Sequence, residues 1–291
     1  MNSEVSFIRK RGKICAWNMT VLVLGESMKK RYRILDEIRG ITLCSMILYH
    51  TVWDLVYIFG RNWKWFDSDI AFLWQQSICF SFILLSGFCF SLGKKKFRRG
   101  LVVFGAGVLI SLVTELFMPQ NRIRFGVLTL LGSCMLIVAG TEKLHDVLCK
   151  LNKGDRTKTG YAHRVNTPIW RIMVNVLLFI LTRRINYRVL GFLDVTVIRL
   201  PRALYNMGDI GNFLGFTEDT FFSTDYFSLF PWLFLFLTGY YFYKWMEQKQ
   251  WVLCMNKAPS LGVWWNPVGK HSLIIYLLHQ PIIYGVLYLV A

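Results

Sequence analysis

The sequence predicts an all-α fold, a polytopic membrane helix bundle of about seven to eight spans with its N-terminus cytoplasmic. Composition is the first observation behind that prediction. Hydrophobic residues make up 54% of the 291 residues and charged residues 18%, with a mean hydropathy of +0.40, which leaves too little polar surface for a water-soluble domain of this size. The second is patterning: runs of roughly 17–25 largely apolar residues begin near Gly40, Ile70, Leu101, Phe125, Trp170, Phe227 and Ser272. The third is where the cations fall. A net charge of +17 is compatible with nucleic-acid binding, but the Lys and Arg stand in short blocks between apolar runs rather than along one amphipathic face. The expected partner is therefore the lipid bilayer, with no nucleic acid.

In chain order, residues 1–31 form a basic N-terminal arm whose apolar patch, ICAWNMTVLVL, is too short to span. A single domain follows over residues 32–291. Its fourth and fifth spans are the weakest: Gly140 and TEKLHD close one early, and Arg171 and Arg183 flank the other. An eighth segment fits VLGFLDVTVIRL. The arm, the KKKFRR loop and the loops 143–164 and 244–270 are basic and share one side if the spans alternate, which makes that side cytoplasmic. In the third span GAGVLIS places Gly107 and Ser111 four apart, a small-residue seam for close helix packing. The cysteines form no CxxC pair and sit mostly in apolar runs, so neither a disulfide framework nor a metal site is expected.

The first span, RGITLCSMILYHTVWDLVYIF, carries ionisable groups that hydrocarbon penalises by about 2.5 kcal/mol or more. At 100° per residue Asp36, Arg39, His50 and Asp54 fall on one stripe. Arg39 and His50 are eleven residues apart, about 16 Å along the axis, so Arg39 sits at the cytoplasmic rim and His50 past mid-membrane. Asp54, one turn on, is expected to hydrogen-bond the His50 imidazole, orienting it as a general base. A histidine satisfied by a neighbouring helix is the competing structural reading. The last span repeats the pattern in SLIIYLLHQP, where His279 precedes Gln280 and Pro281. On the far side, Arg124 in NRIRFGV and Asp225 in STDYFSLFPW stand at span ends; headgroup contact and helix capping explain them as well as a site does.

The first-span pattern of Arg, ten residues and His, preceded by LDEIRG, resembles the acyltransferase-3 proteins and, more closely, the heparan-alpha-glucosaminide N-acetyltransferase catalytic-domain family. YRILDEIRGITLCSMILYHTVWDL, FILLSGFCFSLG, IRFGVLTLLG, DYFSLFPWLFLFLTGYYFYK and KHSLIIYLLHQP occur in the order that small bacterial members show. The resemblance implies a transmembrane acetyltransferase of the bacterial inner (plasma) membrane. It would use acetyl-CoA as acyl donor and a sugar amine or hydroxyl of a glycan or glycolipid as acceptor, with His50 at the catalytic histidine position. On that reading Asp54 assists His50, while Arg39, Lys95 and Arg98 hold donor phosphates beside Lys94, Lys96 and Arg99. Arg124, Asp225 and His279 face the acceptor. The expectation includes no metal and leaves a homo-oligomer open. The competing class is a transporter or flippase in which Arg39, His50, Asp54 and His279 form a proton or substrate path.

Overall fold

Helices form where the apolar runs predict them. The computed structural model describes residues 32–152, 168–192 and 195–290; the arm, residues 1–31, lies outside the described residues. Helix α1 (Arg33–Trp53) continues into a π-helical turn over Asp54–Ile58. It is followed by α2 (Asp69–Phe90), α3 (Lys96–Phe117), α4 (Val127–Asn152) and α5 (Trp170–Thr182). A hairpin of β1 (Val189–Phe192) and β2 (Val195–Arg199) leads to α6 (Gly208–Leu214), α7 (Leu229–Gln248), α8 (Trp265–Lys270) and α9 (Ser272–Val290).

Five of these segments, Arg33–Ile58, Asp69–Phe90, Lys96–Phe117, Val127–Leu151 and Ser272–Val290, are long and apolar enough to cross a membrane. In the most apolar stretches of α3 and α9 only 11% of residues are buried. Leu109, Leu112, Leu116 and Leu289 lie on the outside, an arrangement that water would penalise and lipid accepts. The protein is an integral membrane protein. Helix α5, at 13 residues, and α7, whose second half carries Tyr240, Tyr241, Tyr243 and Lys244, fall short of the same criterion by length or apolarity.

The eighth segment expected in VLGFLDVTVIRL is instead the antiparallel β1–β2 hairpin, with an irregularity between Leu190 and Gly191. Twelve residues are too few for a helical span, and the β-branched Val195, Thr196, Val197 and Ile198 favour a strand. The protein is mostly helical, as expected, and this hairpin is the one sheet among the described residues.

Helix α3 packs along α4, α2 along α7, and α5 along α7. The expected seam is real geometry: a Cβ on Gly107 would lie 2.5 Å from the Thr129 backbone nitrogen. The apolar core gathers Leu43 and Met46 of α1, Ile83 and Phe90 of α2, Leu130 and Cys134 of α4, and Phe236 of α7. Helix α1 reaches its neighbours through side chains, with Trp74 Nε1 donating to Ser45 Oγ at 2.8 Å.

One close approach positions the site. A Cβ on Gly40 would meet the Trp265 carbonyl oxygen at 2.3 Å, and one on Gly269 would meet the Asp36 carbonyl oxygen at 1.8 Å. Two glycines therefore let α8 lie directly on the start of α1. The loop before α8 is pinned as well: buried Glu37 accepts from Ser260 Oγ at 2.8 Å and from the Leu261 amide at 2.9 Å.

Candidate active site

A cavity of about 500 Å³ opens between the starts of α1, α3 and α9, a volume typical of small-molecule sites. Arg39, Lys95, Arg98, Arg99 and Lys270 line it, and among the described residues no carboxylate does. Arg39 comes from α1, and its Nη1 is held 3.3 Å from Asp36 Oδ1. Lys95 is the N-cap residue of α3, Arg98 and Arg99 come from its first turn, and Lys270 is delivered by the α8 contact on Gly40. The rest of the lining is largely apolar, with Phe82, Val103, Leu128, Leu131 and Met135, and includes Tyr276. Five cations around one space repel one another until an anion enters.

Tyr276 leads to the two histidines. Its ring centroid is 5.1 Å from that of His279, which is 5.0 Å from that of His50. His279 is 8% exposed. Its Nδ1 bonds the Tyr276 carbonyl oxygen, and because a carbonyl only accepts, Nδ1 carries the proton and Nε2 the lone pair. That Nε2 is buried without a hydrogen-bond partner.

The expected Asp54–His50 hydrogen bond is not the one formed. Asp54, fully buried at the start of the π turn, accepts from Gln280 Nε2 at 2.8 and 3.1 Å. The π turn begins at Asp54 and widens the helix beyond it. Asp54 ties α1 to α9 one turn beyond His50.

On the far side the predicted residues separate. Arg124 Nη2 pairs with Asp209 Oδ2 at 2.7 Å, and its guanidinium lies near the Phe125 and Phe221 rings. It is absent from the cavity lining. Asp225 accepts from the Val127 amide at the start of α4, so the cap it provides belongs to α4 rather than to the helix it precedes. Burial pushes its carboxyl up to about 6 despite that amide. Asp225 lies close enough to Cys79 and Tyr276 to act on both electrostatically.

Arg39, Lys95 and Arg98 thus share one cavity, and His50 and His279 form a facing pair. The sequence reading missed Lys270, Tyr276 and Gln280. The signal for Lys270 was a cation directly before the last span, and Tyr276 lies one helical turn before His279 on the same face.

The model of the heparan-alpha-glucosaminide N-acetyltransferase catalytic domain matches residues 31–151 and 169–281. The chain belongs to this family. Membership makes it a membrane acetyltransferase by family, and the matched residues include all five cavity cations, Tyr276 and both histidines. Comparison with curated proteins gave no match, and neither did comparison with solved structures.

Proposed function

We propose that this protein takes the acetyl group of cytoplasmic acetyl-CoA and transfers it to a sugar amine or hydroxyl, on a glycan or glycolipid, presented on the opposite side of a bacterial plasma membrane. The observation that carries this reading is the lining of the cavity. It combines the cations Arg39, Lys95, Arg98, Arg99 and Lys270 with apolar side chains such as Phe82, Val103 and Leu131, and includes Tyr276, whose ring adjoins His279. Acetyl-CoA offers a partner for each part, an anionic phosphate-rich head and a thin arm ending in the thioester.

In this mechanism the cations and the first turns of α3 and α9 hold the phosphates, because guanidinium forks and helix N-termini both favour phosphate oxygens. The arm follows Phe82, Val103 and Leu131 inward. His50, as general base, takes the proton of the acceptor nucleophile as it attacks the thioester carbonyl. Asp54 acts through Gln280, keeping the α1 and α9 imidazoles opposed. Asp225 and the Asp209-held Arg124 frame the acceptor side. On this reading the chain crosses seven times, counting the short α5 and the less apolar α7, and the N-terminus and the cationic mouth face the cytoplasm.

The test is to supply membranes bearing the protein with labelled acetyl-CoA and to identify the labelled product. Label in a glycan or glycolipid that depends on His50 is expected. Absence of both transfer and acetyl-CoA binding refutes the reading.

A further inference from the structure

We infer that His279 is a proton relay between His50 and the departing thiolate, rather than a contact for the acceptor. The inference rests on the acyltransferase reading above and adds a residue to it. Tyr276, His279 and His50 stand in sequence, with ring centroids 5.1 and 5.0 Å apart. Tyr276 lines the cavity, so His279 stands between a residue of the cavity wall and His50, where a thioester sulfur reaching Tyr276 would come next to it.

The tautomer suits that position. Nδ1 is committed to the Tyr276 carbonyl, which leaves Nε2 as the ring nitrogen with a free lone pair. A buried imidazole nitrogen without a partner is costly, and Nε2 is one of only four such side-chain atoms among the described residues. A histidine that merely cements two helices would bond through both nitrogens. Pro281, two residues on, cannot donate to the Leu277 carbonyl, and the Gln280–Asp54 bond fixes the α9 backbone against α1 beside the pair.

The acceptor's N–H or O–H bond breaks and its proton goes to His50 while the new C–N or C–O bond forms at the acetyl carbonyl. The C–S bond breaks and leaves a thiolate. The His50 imidazolium passes its proton to His279 Nε2, which releases it to sulfur, so CoA leaves as the neutral thiol and both histidines return to the neutral form.

The experiment compares two acyl donors with glucosamine as acceptor in the full-length protein: acetyl-CoA, and S-acetyl-4-nitrothiophenol, whose thiolate departs without needing a proton. His279→Gln and His279→Asn are measured against wild type, with acetyl-CoA titration reporting that each variant still folds and binds. The relay predicts about a hundredfold loss of turnover with acetyl-CoA, a loss of about threefold or less with the aryl thioester, and acetyl-CoA affinity unchanged. In mixed light and heavy water, the wild-type rate should curve with isotope fraction and the variants' rates should be linear. Equal losses with both donors, or no loss with either, overturns the relay while leaving the acyltransferase reading standing. A wild-type protein that transfers from neither donor overturns both.

Discussion

Gln280 Nε2 donates to both carboxylate oxygens of Asp54, at 2.8 and 3.1 Å, and so joins the last helix to the first immediately beside the His50–His279 pair. Gln280 adjoins His279 in sequence and Asp54 is one turn past His50, so this bond sets the spacing of the imidazoles. Gln280→Leu leaves a buried carboxylate without its donor, at a cost of about 1.5–3 kcal/mol. The thermal midpoint in detergent should fall, and turnover should drop more than acetyl-CoA affinity does. Asp54→Asn should lose less, because its amide can donate to Gln280 Oε1, which has no partner in the wild type.

His50→Ala should lower transfer by about 10²–10⁴-fold, the contribution expected of a positioned general base. Acetyl-CoA binding should persist, since His50 does not line the cavity that holds the cations. Single-turnover kinetics with a parallel binding titration checks both halves.

Arg39→Lys keeps the charge and loses the fork that grips phosphate bidentately. Acetyl-CoA should bind several-fold more weakly, and Lys270→Ala should weaken it by about tenfold, equivalent to about 1.4 kcal/mol. Acceptor KM should hold. Unchanged donor affinity in both variants would favour the transporter, in which Arg39 serves a conduction path.

Asp225 supplies a pH signature. Burial raises its carboxyl to about 6 from the ordinary 3.8, so between those values the folded protein binds more protons than the unfolded chain and stability falls as pH rises. Asp225→Asn removes that slope: its thermal midpoint should gain on the wild type from pH 4 to 6.5. If the carboxylate also holds the acceptor, wild-type acceptor KM should rise as pH drops through 6, and the variant's should stay flat.

Gly269→Ala introduces a Cβ where the Asp36 carbonyl oxygen lies 1.8 Å away, with backbone on both sides of the contact. Helix α8 must move off α1, carrying Lys270 with it. Donor affinity should fall by more than Lys270→Ala alone causes, a comparison made by titration.

Much of this site is legible in the sequence because membrane burial makes polar residues conspicuous. Arg39, His50 and Asp54 stand out from an apolar run, and His279 does the same in the last span. The partners of Asp54 and Arg124 were not legible. Gln280 and Asp209 lie 226 and 85 residues away from them, a separation that helical periodicity does not reach. The π turn that begins at Asp54 leaves no local mark in the residues. Lys270 depends on two glycines in different segments touching one another's helices. The hairpin at 189–199 was hidden for a different reason: apolar β-branched residues read alike as a buried helix or a strand when the run is short.

If the cavity holds acetyl-CoA as proposed, the acyl end of the donor reaches from the cations to the histidines. Photo-crosslinking with a CoA thioester that carries a diazirine in its acyl group, followed by mapping of the labelled peptides, measures this directly. Label is expected on the α9 segment containing Tyr276 and His279 and on the α1 segment containing His50, suppressed by excess acetyl-CoA and by neutralising Arg39 and Lys270 together. Label confined to other segments, or label that acetyl-CoA does not displace, would contradict it.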